Sequence, residues 1–201
     1  MDFEKDYILE NNKIILRPLV ENDFDLLLEF SINEPDIWSF NGFGPSGAEN
    51  LKKYINTALN NRKLKTDYPF AVINKTENKA IGSTRFYSIN LTNKTLELGF
   101  TWYGKNYQGT YVNKNCKYLL LEFAFEKLNM ERVGFRANNL NKRSIAAMKS
   151  IGCVEEGVLT NFATDAKGNR TDAIVLSIIK NEWHEKVKDN LKAKLENNAG
   201  S

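Results

Sequence analysis

The chain has 201 residues, with 28 Lys+Arg against 25 Asp+Glu for a formal charge of +3, two cysteines and a single histidine. That length suits one domain burying roughly 70% of its unfolded surface, and the dispersed charge offers no basic block for nucleic acid. Cys116 and Cys153 sit in apolar patterns without a CxxC, and His184 lies in a polar C-terminal segment. Most zinc sites and any histidine-centred relay are thereby excluded, and no metal is expected. No run of about 20 apolar residues can span a membrane. The acidic N-terminus lacks an apolar signal core, so the expectation is a cytoplasmic protein with no membrane partner.

Residues 1–12 read as an N-terminal tail, and KIILRPL at 13–19 as a first strand ending at Pro18. Asn22 is placed to cap a helix with Phe24, Leu27, Leu28 and Phe30 on its apolar face. The following loop holds Trp38, Phe40 and Phe43, which serve either as a lid on the core or as one wall of a small-molecule pocket. Ser46 and Glu49 have capping-box spacing, opening a second helix that runs to about Arg62. Phe70–Ile73 and Ala80–Tyr87 read as a hairpin.

The organising stretch is TLELGFTWYGKNYQGTYVNKNCKYLLLEF, residues 95–123. Its first third alternates, putting Leu96, Leu98, Phe100 and Trp102 on one side of a strand and Glu97, Gly99 and Thr101 on the other. Its last third changes to helical period through Cys116, Leu119, Leu120 and Phe123, predicting a helix from about Thr110 to Leu128. The joint carries Gly109 where the helix begins. First-turn N–H groups lack partners and sit at the positive end of the helix dipole, so a phosphate is a natural occupant; an ordinary strand-to-helix turn is the alternative.

Residues 132–137 then form a strand, and strand, helix, strand at this spacing predicts a parallel crossover. A helix from Asn141, with Ile145, Met148 and Ile151 on one face, stops at Gly152. Residues 153–163 and 170–179 pair around Asp165–Gly168, and residues 181–201 form a C-terminal helix and tail.

This order, with an anion site after the fourth predicted strand, resembles the GNAT superfamily of acyl-coenzyme A dependent N-acyltransferases, in particular the branch of ribosomal-protein N-terminal acetyltransferases. Three segments carry the resemblance: LELGFTWYGKNYQGTYVN, ERVGFRANNLNKRSIAAMKSIGCVEEGVL and GNRTDAIVLSI. It covers about residues 13–180 and implies an α/β (α+β) fold: one domain with a mixed, mostly antiparallel sheet of about seven strands flanked by helices, the fourth and fifth strands splayed.

What the resemblance implies for the site is specific. Acetyl-coenzyme A is the cosubstrate, its diphosphate on the backbone of Gln108, Gly109, Thr110, Tyr111 and Val112, its pantetheine arm along Phe100, Thr101 and Trp102, and a main-chain N–H near Phe100 facing the thioester carbonyl. Asn141 holds the pantetheine, or is a plain helix cap. Tyr111 departs from the glycine or alanine usual at that point, and Met148 stands where many members place a proton-donating tyrosine. Ser144 takes over as catalytic acid, or is a solvated hydroxyl. Glu97 is the catalytic base, directly or through water, with a structural salt bridge as its alternative; Glu155, Glu156 and Asp172 also line the acceptor side.

The expected reaction is N-acetyl transfer to a primary amine, either a protein N-terminus or a small molecule, by direct attack in a ternary complex. Trp38, Phe40 and Phe43 border the acceptor, and a homodimer is compatible with the branch. The competing reading is a non-catalytic acyl-coenzyme A binding module.

Overall fold

The computed structural model describes residues 1–40, 44–165 and 167–197. Among them, eight strands form one sheet in the order β1-β2-β3-β4-β5-β6-β8-β7. These are β1 (Leu9–Glu10), β2 (Ile14–Pro18), β3 (Tyr68–Asn74), β4 (Lys79–Asn90), β5 (Thr95–Tyr103), β6 (Arg132–Asn138), β7 (Val154–Thr164) and β8 (Arg170–Ile179). Every neighbouring pair is antiparallel except β5 and β6, which the intervening helix joins as the crossover rule requires. The eighth strand is the short β1, from residues read as a tail; Phe3 is buried and Tyr7 packs on Tyr68 and Phe123, so this segment belongs to the fold.

One face carries α1 (Asp23–Asn33) and α2 (Ala48–Lys63), whose Leu27, Phe30, Leu51 and Ile55 bury against Ala71, Ile73 and Trp102. The other carries α3 (Tyr111–Glu122), extended by a π turn at Phe123–Lys127, with Leu120 and Phe125 packed on Phe70, Phe86, Leu96 and Leu98. α4 (Lys142–Ser150) follows β6. The C-terminal segment is α5 (Lys180–Glu182), a π turn at Trp183–Val187 and α6 (Lys188–Asn197). Its Trp183, Val187 and Leu191 complete the α3-side core, and Trp183 stacks on Phe125 at 5.6 Å.

Two helix starts differ from expectation. Asn22 makes no side-chain cap; Asp23 instead accepts from the Val20 N–H at 2.8 Å and from Arg17. The Ser46/Glu49 capping box does not form either, because the cap position falls on Gly47 at φ +81°, which suits a glycine.

Strand β5 also departs from simple alternation. Ser83 faces Trp102 and Arg85 faces Gly99, so Phe100 and Thr101 together oppose Thr84 in a β-bulge. The extra residue reverses the parity of the strand. Leu96 and Leu98 point to the α3 side, whereas Trp102 packs with Phe30 and Trp38 on the α1/α2 side. Phe100, expected beside them, turns outward and is 51% exposed.

Candidate active site

β5 and β6 pair over three residues only, Thr95–Glu97 against Arg132–Gly134. Beyond that point β5 pairs with β4 alone and β6 with β8 alone, so the two strands diverge into a cleft with unpaired main chain along each wall. Such an opening can receive an extended ligand as a substitute strand. The bulge sits on its β5 wall. Phe100 has φ +49°, a conformation costing an L-residue about 1–2 kcal/mol. Its neighbours hold it there: the Tyr54 hydroxyl donates to the Phe100 carbonyl at 3.1 Å, and the Arg85 guanidinium lies 4.2 Å from the ring centroid.

At the far end of β5 the chain reaches the N-terminus of α3 through Gly109, at φ +75°, with no atom within 4 Å of where a Cβ would stand. The glycine therefore answers to backbone conformation, and the corner opens to space. Thr110 caps the helix, its Oγ1 accepting from Val112 N–H at 3.3 Å and donating to the Tyr107 carbonyl. Gln108 N–H donates to the Lys105 carbonyl. Of the five expected amides, those of Gly109, Thr110 and Tyr111 thus remain without a described partner. The Tyr111 ring lies 5.6 Å from Lys13 Nζ, on the side of β2.

Gln108 contributes through its side chain. Nε2 donates to the Tyr103 carbonyl at 2.8 Å and Oε1 accepts from Arg143 Nη1 at 2.5 Å, joining the turn before α3 to the first turn of α4. An exposed guanidinium thereby stands beside three free amides at a helix N-terminus. Sequence reasoning missed Arg143; its only signal was proximity to Asn141. This donor set fits a diphosphate. Asn141 caps α4, Oδ1 accepting from Ser144 N–H at 3.0 Å. Met148, the thioether where a tyrosine was looked for, is buried in the α3-side core.

On the α1/α2 face Glu97 sits at the root of the cleft, beside a pocket of about 310 Å³ lined by Ser88, Asn90, Thr95, Arg132, Gly134 and Phe135 among others. Arg136 grips its carboxylate with two bonds, Nε to Oε2 at 2.6 Å and Nη2 to Oε1 at 2.8 Å, and Tyr87 donates to Oε2 at 2.6 Å. Burial first, then the Glu97 charge, pushes the Tyr87 phenol up, so it acts as a donor throughout the ordinary pH range. Gly134 lies alongside; a Cβ there would stand 3.2 Å from Glu97 Cγ. Neither Tyr87 nor Arg136 was visible as a site residue, because their contact with Glu97 depends on strand register.

The remaining expected acceptor residues separate. Trp38 is buried, 5.2 Å from Trp102 between ring centroids, and contributes to the core. Phe40 is 36% exposed, and Phe43 lies outside the described residues. Glu155 pairs with Lys149, Glu156 with Arg132 and Ser177, and Asp172 accepts from Asn161 N–H. Among the described residues no cluster of three or more His, Cys, Asp or Glu could hold a metal ion, and no helix is long and apolar enough to cross a membrane.

Residues 13–154 match the family model described as an acetyltransferase (GNAT) domain. The chain belongs to the GNAT family. A Bacillus subtilis (strain 168) relative, "Putative ribosomal N-acetyltransferase YdaF", is 26% identical over 182 residues, covering 86% of this chain and 94% of that protein. In structure, this GNAT chain is similar to a GCN5-related N-acetyltransferase from Brucella melitensis, with a TM-score of 0.84 at 24% identity, covering 95% and 86% of the two chains. It is also similar to Mycobacterium smegmatis RimJ in complex with CoA-disulfide, with a TM-score of 0.78 at 14% identity over 94% and 93%. At those identities the structural likenesses speak to the fold, which is the GNAT fold throughout.

Proposed function

We propose that this GNAT chain is an enzyme that moves an acetyl group from acetyl-coenzyme A to a primary amine, by direct attack within a ternary complex and in the cytoplasm. The observation that carries the reading is the continuity of three features along one cleft: splayed β5 and β6, the bulge at Phe100, and the open glycine corner at α3. Gly109, Thr110 and Tyr111 supply amides to the diphosphate, with Gln108 and Arg143 as side-chain partners and Val112 securing the helix cap. The backbone of Phe100, Thr101 and Trp102 and the Asn141 amide would hold the pantetheine arm. When bound, the cosubstrate supplies an activated acyl thioester.

The chain's own groups then divide the work. The acceptor enters from the Glu97 side of the sheet, with Phe40 and Phe43 assigned to its border by proposal, while Trp38, buried against Trp102, supports the core. Glu97 Oε1 accepts one bond from Arg136 and keeps a lone pair, enough for the carboxylate to take the ammonium proton directly or through one relaying water. A backbone N–H at the bulge stabilises the oxyanion, and Ser144 delivers a proton to the departing sulfur. The YdaF name supports a protein N-terminus as acceptor, with a small-molecule amine as the other choice.

Bidentate pairing of Glu97 with Arg136, together with Met148, favours the second reading, an acyl-coenzyme A binding module without turnover. The discriminating experiment is calorimetric titration with acetyl-coenzyme A, followed by thiol release with a panel of amines that includes ribosomal-protein N-terminal peptides. Binding with turnover establishes the enzyme, binding without turnover establishes the module, and no binding removes both.

A further inference from the structure

The cleft has a charged floor on the face opposite Glu97. Lys117 lies two turns into α3 and is only 5% exposed, among Val112, Cys116, Leu120 and Leu121. Its Nζ donates to Thr101 Oγ1 at 2.8 Å, on the β5 bulge, and lies 5.9 Å from the centroid of Phe135, the first β6 residue past the last β5 pair. One side chain thus bridges the two strands where they part. Among the described residues it has no carboxylate partner. The titratable groups facing it are the Cys116 thiol on its own helix and the Cys153 thiol after α4, with Tyr103 of β5 behind Cys116. All three are neutral near pH 8, since burial raises each of them. A cation in such a place is not explained by packing, which a methionine would serve as well.

The hydrogen-bond chain it starts has a destination. With Lys117 donating to Thr101 Oγ1, the Thr101 and Thr84 hydroxyls share a hydrogen bond at 2.7 Å in which either donates, and both reach the Gly99 carbonyl, Thr101 at 3.4 Å and Thr84 at 3.5 Å. That carbonyl belongs to the peptide whose N–H is that of Phe100. We propose that Lys117, acting through Thr101, is a positioning residue for acyl transfer: it fixes the turn at Phe100 and adds positive potential where the acyl carbonyl is received. The inference rests on the acetyl-coenzyme A reading above. Hydrogen bonds in series polarise one another, and a charge in low dielectric acts over several ångströms, so both parts follow from one side chain.

The test is infrared difference spectroscopy of carbonyl-13C acetyl-coenzyme A bound to the full chain, with affinity measured in parallel by calorimetry. In the wild type the thioester carbonyl band lies below its solution position, and the displacement fades as pH rises through about 8, where Lys117 loses its proton. In Lys117→Met the displacement is reduced and no longer depends on pH, while affinity falls less than about tenfold. Thr101→Val behaves alike, and Thr101→Ser restores the band. Should Lys117→Met fail to give a native circular dichroism spectrum, the Thr101 pair carries the test. A wild-type band, with its pH dependence, in Lys117→Met or Thr101→Val overturns the inference and leaves the acetyl-coenzyme A reading standing; absence of binding by the wild type overturns both.

Discussion

Tyr87 and Glu97 meet directly across β4 and β5, phenol to carboxylate at 2.6 Å, and Arg136 closes the triangle from β6. The arrangement spans the root of the splay, so the carboxylate proposed as the base also ties three strands together. Removing its charge should therefore show in both catalysis and stability. Glu97→Gln is expected to lower turnover by about 10²–10⁴ while leaving acetyl-coenzyme A affinity unchanged. The Arg136 guanidinium loses its counter-charge, which costs about 1–2 kcal/mol once partial exposure is discounted. Stopped thiol-release assays and urea melts measure the two effects separately. Full turnover in Glu97→Gln would make the triangle structural only.

Gly109 offers a cleaner separation of folding from binding. A methyl group meets no atom within 4 Å, so Gly109→Ala suffers only from φ +75°, an expected loss of about 1–2 kcal/mol. Gly109→Glu adds a negative charge at a helix N-terminus, which favours the helix dipole and repels a diphosphate. The expectation is a fold about as stable as Gly109→Ala, with affinity for coenzyme A reduced at least about tenfold. Equal affinity for coenzyme A in the glutamate variant would remove the diphosphate from this corner.

The corner was legible in the sequence because it depends on local grammar: a strand period, a glycine, then a helical period from about Thr110. The parallel crossover and the final hairpin were legible for the same reason. What was not legible required register. The bulge opposite Thr84 carries Trp102 to the opposite face from Leu98, and no alternation rule predicts an added residue. Tyr87, Arg136 and Arg143 become site residues only through strand pairing and the approach of α4 to α3. Lys117 was hidden differently, since a lysine beside Cys116 in an amphipathic helix normally points to solvent, whereas α3 is covered by the sheet on one side and by α6 on another.

The two cysteines should be chemically silent in the folded chain. Cys116 and Cys153 are both buried, and burial pushes both thiols up to about 12. At pH 8 neither should react with a disulfide reagent over minutes, and both should react once the chain is unfolded in guanidinium. Because the folded values lie above the unfolded value of about 8.5, the thiols' contribution to stability is intact below that pH and declines as pH rises above it. Rapid labelling of either residue in the native chain would show that α3 opens from the turn after α4.

Lys117 titrates in the opposite sense, and its removal should make the protein more stable. Burial lowers its ammonium to about 8, against an ordinary value near 10.5. Between those pH values the unfolded chain binds more protons than the folded one, so stability rises with pH across that window. Below pH 8 the charge is carried in both states and the fold bears its full desolvation cost, about 3 kcal/mol by the size of the shift. Lys117→Met keeps the volume and drops the charge, so at pH 7 it should be more stable than the wild type by up to that amount, the gap narrowing as pH climbs from 8 toward 10. Denaturant melts of the two proteins at pH 7 and pH 10 give the comparison directly. A methionine variant less stable than the wild type at pH 7 would mean that the Thr101 bond outweighs desolvation.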